Sequence, residues 1–183
     1  ALGASAASLV TNVGGNLTLT SGSAAGITDS ATVTVGGNLI ATTDASSGVI
    51  DLGTLAVDGT IALTTHNNGA ATVVNDAGLN FAVSTVGGAL SATATTGNIT
   101  DSGALAITGT STFVTIANDA TITLDQGGHA FTGALLITTN DTSTDTAGDV
   151  TISAGSSAVL DFGSSTIDGD LIATSSNATG ITD

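Results

Sequence analysis

The chain has 183 residues with no Lys, Arg or Cys; all 15 of its acidic residues are Asp, and its formal charge is −15. Nothing in it can neutralise phosphates, which excludes nucleic acid as a partner and an anionic membrane as a surface. At 41% apolar and 8% charged it is too hydrophobic for a disordered chain, and its wealth of Thr, Val and Ile with few polar helix formers predicts an all-β fold.

The first coil is announced by Val13, Gly15 and Leu17, a glycine with an apolar residue two places to either side. The same pattern returns at Gly37, Gly59, Gly88, Gly133 and Gly169, and at Gly109 with a polar residue in the following position. The preceding position holds Val35, Val57, Val86, Ile107, Phe131 and Ile167; the following one holds Leu39, Ile61, Leu90, Ser111, Leu135 and Leu171. The steps between glycines are 22, 22, 29, 21, 24 and 36 residues. Self-similarity at such a period predicts a solenoid, in which each repeat buries its apolar face only against its neighbours.

The second coil, Thr32 to Asp51, serves as the reference. Thr32-Val33-Thr34-Val35 alternates as a half-buried strand does, Gly36-Gly37 breaks it, and Asn38-Leu39-Ile40-Ala41 resumes it. A polar stretch to Gly48 leads into a third strand, Val49-Ile50-Asp51. Three short strands per rung of roughly 22 residues, repeated about seven to eight times, make a parallel β-helix occupying residues 1–183 as one domain. Insertions at His66 to Ala71 and Thr138 to Asp149 are expected to leave one corner as loops.

The alternation assigns faces. Val13, Leu17, Leu19, Val33, Val35, Leu39, Leu55, Val57, Ile61, Leu63, Leu79, Phe81, Val83, Val86, Leu90, Leu105, Ile107, Phe113, Phe131, Leu135, Ile137, Ile167 and Leu171 are expected inside. Equivalent residues should stack in ladders, with Val35, Val57 and Val86 on one side.

Asp is periodic as well. Asp29, Asp51, Asp76, Asp101, Asp125, Asp161 and Asp183 each close a short apolar segment, and five of them begin Asp-x-Gly. An Asp side chain bonds backbone two residues on and Gly takes positive φ, so this spacing is turn chemistry. Stacked as one ladder, these carboxylates would repel, a cost that turn hydrogen bonds, salt or bound cations would offset.

The pattern Val13-Gly14-Gly15-Asn16-Leu17-Thr18-Leu19, with Gly97-Asn98-Ile99-Thr100-Asp101-Ser102-Gly103, resembles the repeat regions of large secreted bacterial adhesins, the filamentous haemagglutinin-like proteins and autotransporter passengers. The resemblance implies a right-handed parallel β-helix, export, and an extracellular, cell-surface structural role without catalytic residues. The secretion domain and N-terminal cap of those proteins are not found in the sequence.

Three chemistries compete with the structural reading. Asp141, Ser143, Asp145 and Asp149 place oxygens at alternate loop positions, a loose calcium pattern; the competing reading is a solvated polar insertion, and no other cofactor is expected. Asp58, Asp168 and Asp170 near landmark glycines raise paired-carboxylate sugar hydrolysis, but turn chemistry accounts for periodic Asp and no enzyme is expected. His66 is expected exposed, and His129 inward at a coil edge, hydrogen-bonded and not zinc-bound, since neither has a second His or Cys beside it. No segment of about 18 apolar residues is present for a membrane helix.

The sequence begins without Met, and its two ends are phase-compatible. Both facts point to a segment of a longer chain or to a unit that stacks on itself. The expected function is a rod segment of a surface adhesin, with a host or surface glycan or protein as receptor. A self-assembling filament or sheath subunit is the alternative, and a polysaccharide-acting β-helix enzyme the distant third.

Overall fold

The structure is a computed structural model describing residues 9–44, 47–140, 142 and 147–183. The described residues form strands and no helix. In chain order they are β1 (Leu9–Val13), β2 (Leu17–Ser21), β3 (Ile27–Val35), β4 (Leu39–Thr43), β5 (Ile50–Val57), β6 (Ile61–Thr64) and β7 (Ala71–Asn75). There follow β8 (Leu79–Phe81), β9 (Ser84–Val86), β10 (Leu90–Ala94), β11 (Ile99–Asp101), β12 (Leu105–Ile107) and β13 (Ser111–Asn118). The last are β14 (Ile122–Phe131), β15 (Leu135–Asn140), β16 (Val150–Ala154), β17 (Leu160–Asp161), β18 (Leu171–Ser175) and β19 (Ile181–Thr182).

All pairings between these strands are parallel and link one coil to the next, giving a β-solenoid of about 8 turns of roughly 22 residues. One sheet runs β1-β3-β5-β7-β10-β13-β15, a second holds β2, β4, β6, β8, β9, β11, β12, β14, β16 and β18, and β17 pairs with β19 in a third. Inner faces are filled by Leu39, Ile61, Leu63, Ile50, Leu52, Val73, Phe81, Leu90, Phe113, Ile122, Leu135 and Ile152, all at most 1% exposed. The alternating burial of β10 and β16 is the direct product of apolar–polar alternation on a pleated strand.

Each sequence repeat contributes a bent side followed by a straight side. In coils two and three the bent sides are β3 and β5, whose pairing register shifts between Thr28 and Val33. In the later coils the bent side is β8–β9, β11–β12 or the long β14, and the straight side is β10, β13 or β15. The two kinds of side therefore exchange sheets. The cause is in the steps of 29 and 36 residues: between Gly59 and Gly88 the straight strands β6 and β7 follow one another, and between Gly133 and Gly169 so do β15 and β16. One extra straight side advances the chain by half a turn, so each long step spans one and a half turns.

This half-turn slip overturns the single-ladder expectation. Val35 pairs with Val57 in the first sheet, but Val86 pairs with Ile107 in the second, and Ile107 with Phe131. The glycines divide in the same way. Gly15, Gly37 and Gly59 stack at one corner, whereas Gly88, Gly109 and Gly133 stack at the opposite one. Gly169, ahead of Leu171, returns to the first corner, where Leu171 pairs with Val150. Close approach explains the residue type: a Cβ on Gly109 would stand 2.7 Å from the Gly88 carbonyl carbon.

Two inward assignments are also corrected. Val83 is 69% exposed because it sits on the bend between β8 and β9, where its backbone packs against Gly103. Leu171 is 45% exposed because it lies in the last described coil, with no coil above it. Val13, Leu17 and Ile167 are half-buried for the same kind of reason, lying in end coils. The turn at His66 is exposed and stands beside Gly87 and Gly88, whereas Ala147 to Asp149 lead into β16 on the Gly169 side; 141 and 143–146 lie outside the described residues. Thr138 itself belongs to β15.

Candidate functional site

The side chains capable of chemistry lie at the corners and at the slips, and most of those bonds reach the next coil. One column precedes the strands of the second sheet. Asn16 Oδ1 accepts the Asn38 N–H at 2.8 Å, Asn38 Oδ1 the Thr60 N–H at 2.9 Å, Asn98 Oδ1 the Thr121 N–H at 2.9 Å, and Asp149 Oδ1 the Asp170 N–H at 2.8 Å. Each acceptor ties its coil to the one that follows, at a corner where the sheet ladder cannot.

Carboxylates do the same at the bends. Asp29 accepts from the N–H groups of Gly53 (3.3 Å) and Thr54 (2.8 Å) and from the Thr54 hydroxyl (2.9 Å). Asp101 accepts from the N–H groups of Asp125 (3.1 Å) and Gln126 (3.3 Å), and Asp161 from the Thr182 hydroxyl (2.7 Å). These bonds run to the next coil, unlike the local turn bonds inferred from Asp-x-Gly. Nor do the seven Asp residues form one ladder: Asp51 pairs with Thr72, Asp101 with Phe81, Asp76 donates its N–H to the Leu55 carbonyl, and Asp125 and Asp183 are exposed.

The slips are stitched by polar side chains, most of them buried. At the first, Asn75 is fully enclosed; its Oδ1 accepts the Val57 N–H at 2.8 Å, and its Nδ2 donates to the carbonyls of Val57 (3.1 Å) and Gly78 (2.7 Å). Ser84 Oγ accepts the Leu63 N–H and Thr65 Oγ1 the Gly87 N–H, both at 3.0 Å. At the second, buried Thr139 Oγ1 accepts the Asp168 N–H and the exposed Ser165 Oγ the Ile137 N–H, again both at 3.0 Å. Where the ladder loses register, the backbone groups it leaves would be unpaired and buried, and these side chains take them.

His129 is a plug of the same kind in a later coil. It is fully buried, Nδ1 accepts the Leu105 N–H at 2.9 Å, and the ring stacks on Phe131 with centroids 5.5 Å apart. Nε2 stands 3.1 Å from Asp101 Oδ2, at an angle outside hydrogen-bond geometry. Burial holds the pKa of His129 below its ordinary value, against the opposing pull of Asp101 and Asp125.

Residues 68–138 match a family model described as repeats of unknown function (DUF5649). The matched stretch runs from the turn before β7 into β15, which is the block of coils between the two slips. No curated protein and no solved structure matches the chain.

Of the calcium loop, Asp141, Ser143 and Asp145 lie outside the described residues, and Asp149 is the corner acceptor for Asp170. Among the described residues no group of three or more His, Cys, Asp or Glu side chains is placed to hold a metal. Asp58 shares a corner with Asp168 and Asp170, but about five coils apart, roughly 24 Å at the parallel-strand spacing, too far for paired-carboxylate hydrolysis. The Asn column and the buried stitches were missed in sequence. Their signal is there: Asn or Asp directly before Leu17, Leu39, Ile99, Val150 and Leu171, and Thr65, Asn75, Ser84 and Thr139 on the inward phase of apolar strands.

Proposed function

We propose that this chain is a non-catalytic rod segment of an extracellular surface protein, of the adhesin kind, which supplies length and stiffness while receptor contact is made elsewhere. The observation that carries the reading is the use made of the polar side chains. Asn16, Asn38, Asn98, Asp29, Asp101 and Asp149 all spend their acceptors on the backbone of the following coil. Groups committed in this way stiffen a stack and are not free for substrate. The family match to repeats supports a repetitive role, and the absence of Lys and Arg removes every trypsin site.

The edge of the last described coil favours a second reading. Leu171 and Ile181, on the inward phase, are 45% and 46% exposed, an apolar edge that further coils, including those of another copy, would cover.

Electron microscopy of the purified segment, with a parallel assay on acidic polysaccharides, tests both. The rod reading expects short uniform particles about 38 Å long, for about eight coils at the parallel-strand spacing, and intact polysaccharide. Ordered fibres grown from the segment alone would move the function to self-assembly. Sugar cleavage would overturn both readings.

A further inference from the structure

His129 is buried in the core, and the Asp101 carboxylate beside it is enclosed as well. His129 sits where β14 bends and its register with β16 shifts between Leu124 and His129, so the ring stands in for a broken ladder. Its own carbonyl accepts the Gly155 N–H at 2.8 Å. Because Nδ1 accepts from Leu105, the neutral ring carries its proton on Nε2, facing Asp101. A second proton has only Nδ1 to occupy, and there it would meet the Leu105 N–H head-on, donor against donor.

We propose that His129 is an acid-sensitive latch: protonation of Nδ1 expels the ring and opens the solenoid locally, between β12, the second half of β14 and β16, while the other coils stay closed.

The groups facing the ring are Asp101 from β11 and Asp125 from β14, with Leu105 of β12, Ala154 of β16 and Phe131 supplying no charge. The two carboxylates favour the imidazolium, but enclosure opposes it more strongly, so the closed form binds the proton less readily than the open form. The latch is therefore at full strength above the ordinary His value, near 6.5, and weakens as pH falls from there toward the closed-form value. The interval between pH 7.5 and 5 brackets the ordinary histidine value. His66 is exposed on the turn before β7, away from this bend.

Amide hydrogen exchange, corrected for intrinsic rates, reads the opening at the Leu105 and Gly155 N–H groups. Protection there should fall by up to about 30-fold between pH 7.5 and 5, the protonation ratio of an ordinary histidine over that interval. Protection at Leu39 and Leu63 should stay constant. His129→Asn retains an acceptor without a titration, as Asn75 does for Val57, and should abolish the acid response. Unchanged protection at Leu105 on acidification would overturn the proposal, and so would an equal acid response in His129→Asn. Should that variant not fold, the natural protein's exchange profile decides alone: loss spread evenly over all coils refutes a local latch.

Discussion

Replacing Asn75 with Leu is expected to lower the unfolding free energy by about 3 kcal/mol or more, despite filling nearly the same volume with an apolar side chain. Asn75 serves three backbone groups, the Val57 N–H, the Val57 carbonyl and the Gly78 carbonyl, and it is completely buried. A buried group left unpaired costs about 1–3 kcal/mol; the two bonds to Val57 are buried and the one to Gly78 is part-buried. The same chemistry at an exposed place is far weaker: Asn38→Ala removes one bond to the Thr60 N–H in reach of solvent, and should cost about 1 kcal/mol. Urea denaturation of the two variants beside the natural protein makes the comparison. Near-equal losses would mean that Asn75 is not the stitch of the slip.

The largest single loss is expected from Phe113→Ala. Phe113 stands in the first sheet and reaches across the core between Phe81 and Phe131 of the second, with centroid distances of 6.2 and 6.1 Å and interplanar angles of 79° and 77°. Truncating a buried Phe costs about 3–5 kcal/mol through lost transfer energy and the cavity left behind, and each edge-to-face pair adds about 0.5–1.5 kcal/mol. The cavity cannot collapse readily, because parallel ladders fix the spacing of the coils around it. A fall in stability of about 4 kcal/mol or more by denaturant titration is the expected result; a change below about 1 kcal/mol would contradict the packing described.

The sequence carries the solenoid plainly, because two-residue alternation and recurring glycines act through local geometry. Val33, Val35, Leu39 and Leu63 declare their faces without knowledge of any neighbour. The slips were not legible for an equally physical reason. The Gly-centred motif follows a bent side wherever that side lies, so Gly59 and Gly88 read alike although they occupy opposite corners. Only the count of straight sides between them distinguishes the corners, and β7, ending on Asn75, looks in sequence like a strand running into a polar loop. Bonds such as Asn38 to Thr60 escape for another reason: they join residues 22 apart, and the donor is backbone that every residue possesses. Val83 shows the limit of alternation, which fails where a bend resets the phase.

Paired cysteines provide the most direct test of the half-turn slip, since the chain has none of its own. Ala56 and Thr85 hold the same place in the repeat, one residue before Val57 and Val86, and a single ladder would set them side by side. The fold described puts Ala56 opposite Thr34 and Thr85 opposite Ala106, on different sheets. Under mild oxidation, Thr85→Cys with Ala106→Cys should crosslink, and Ala56→Cys with Thr85→Cys should not. A disulfide in the second pair and none in the first would contradict the account.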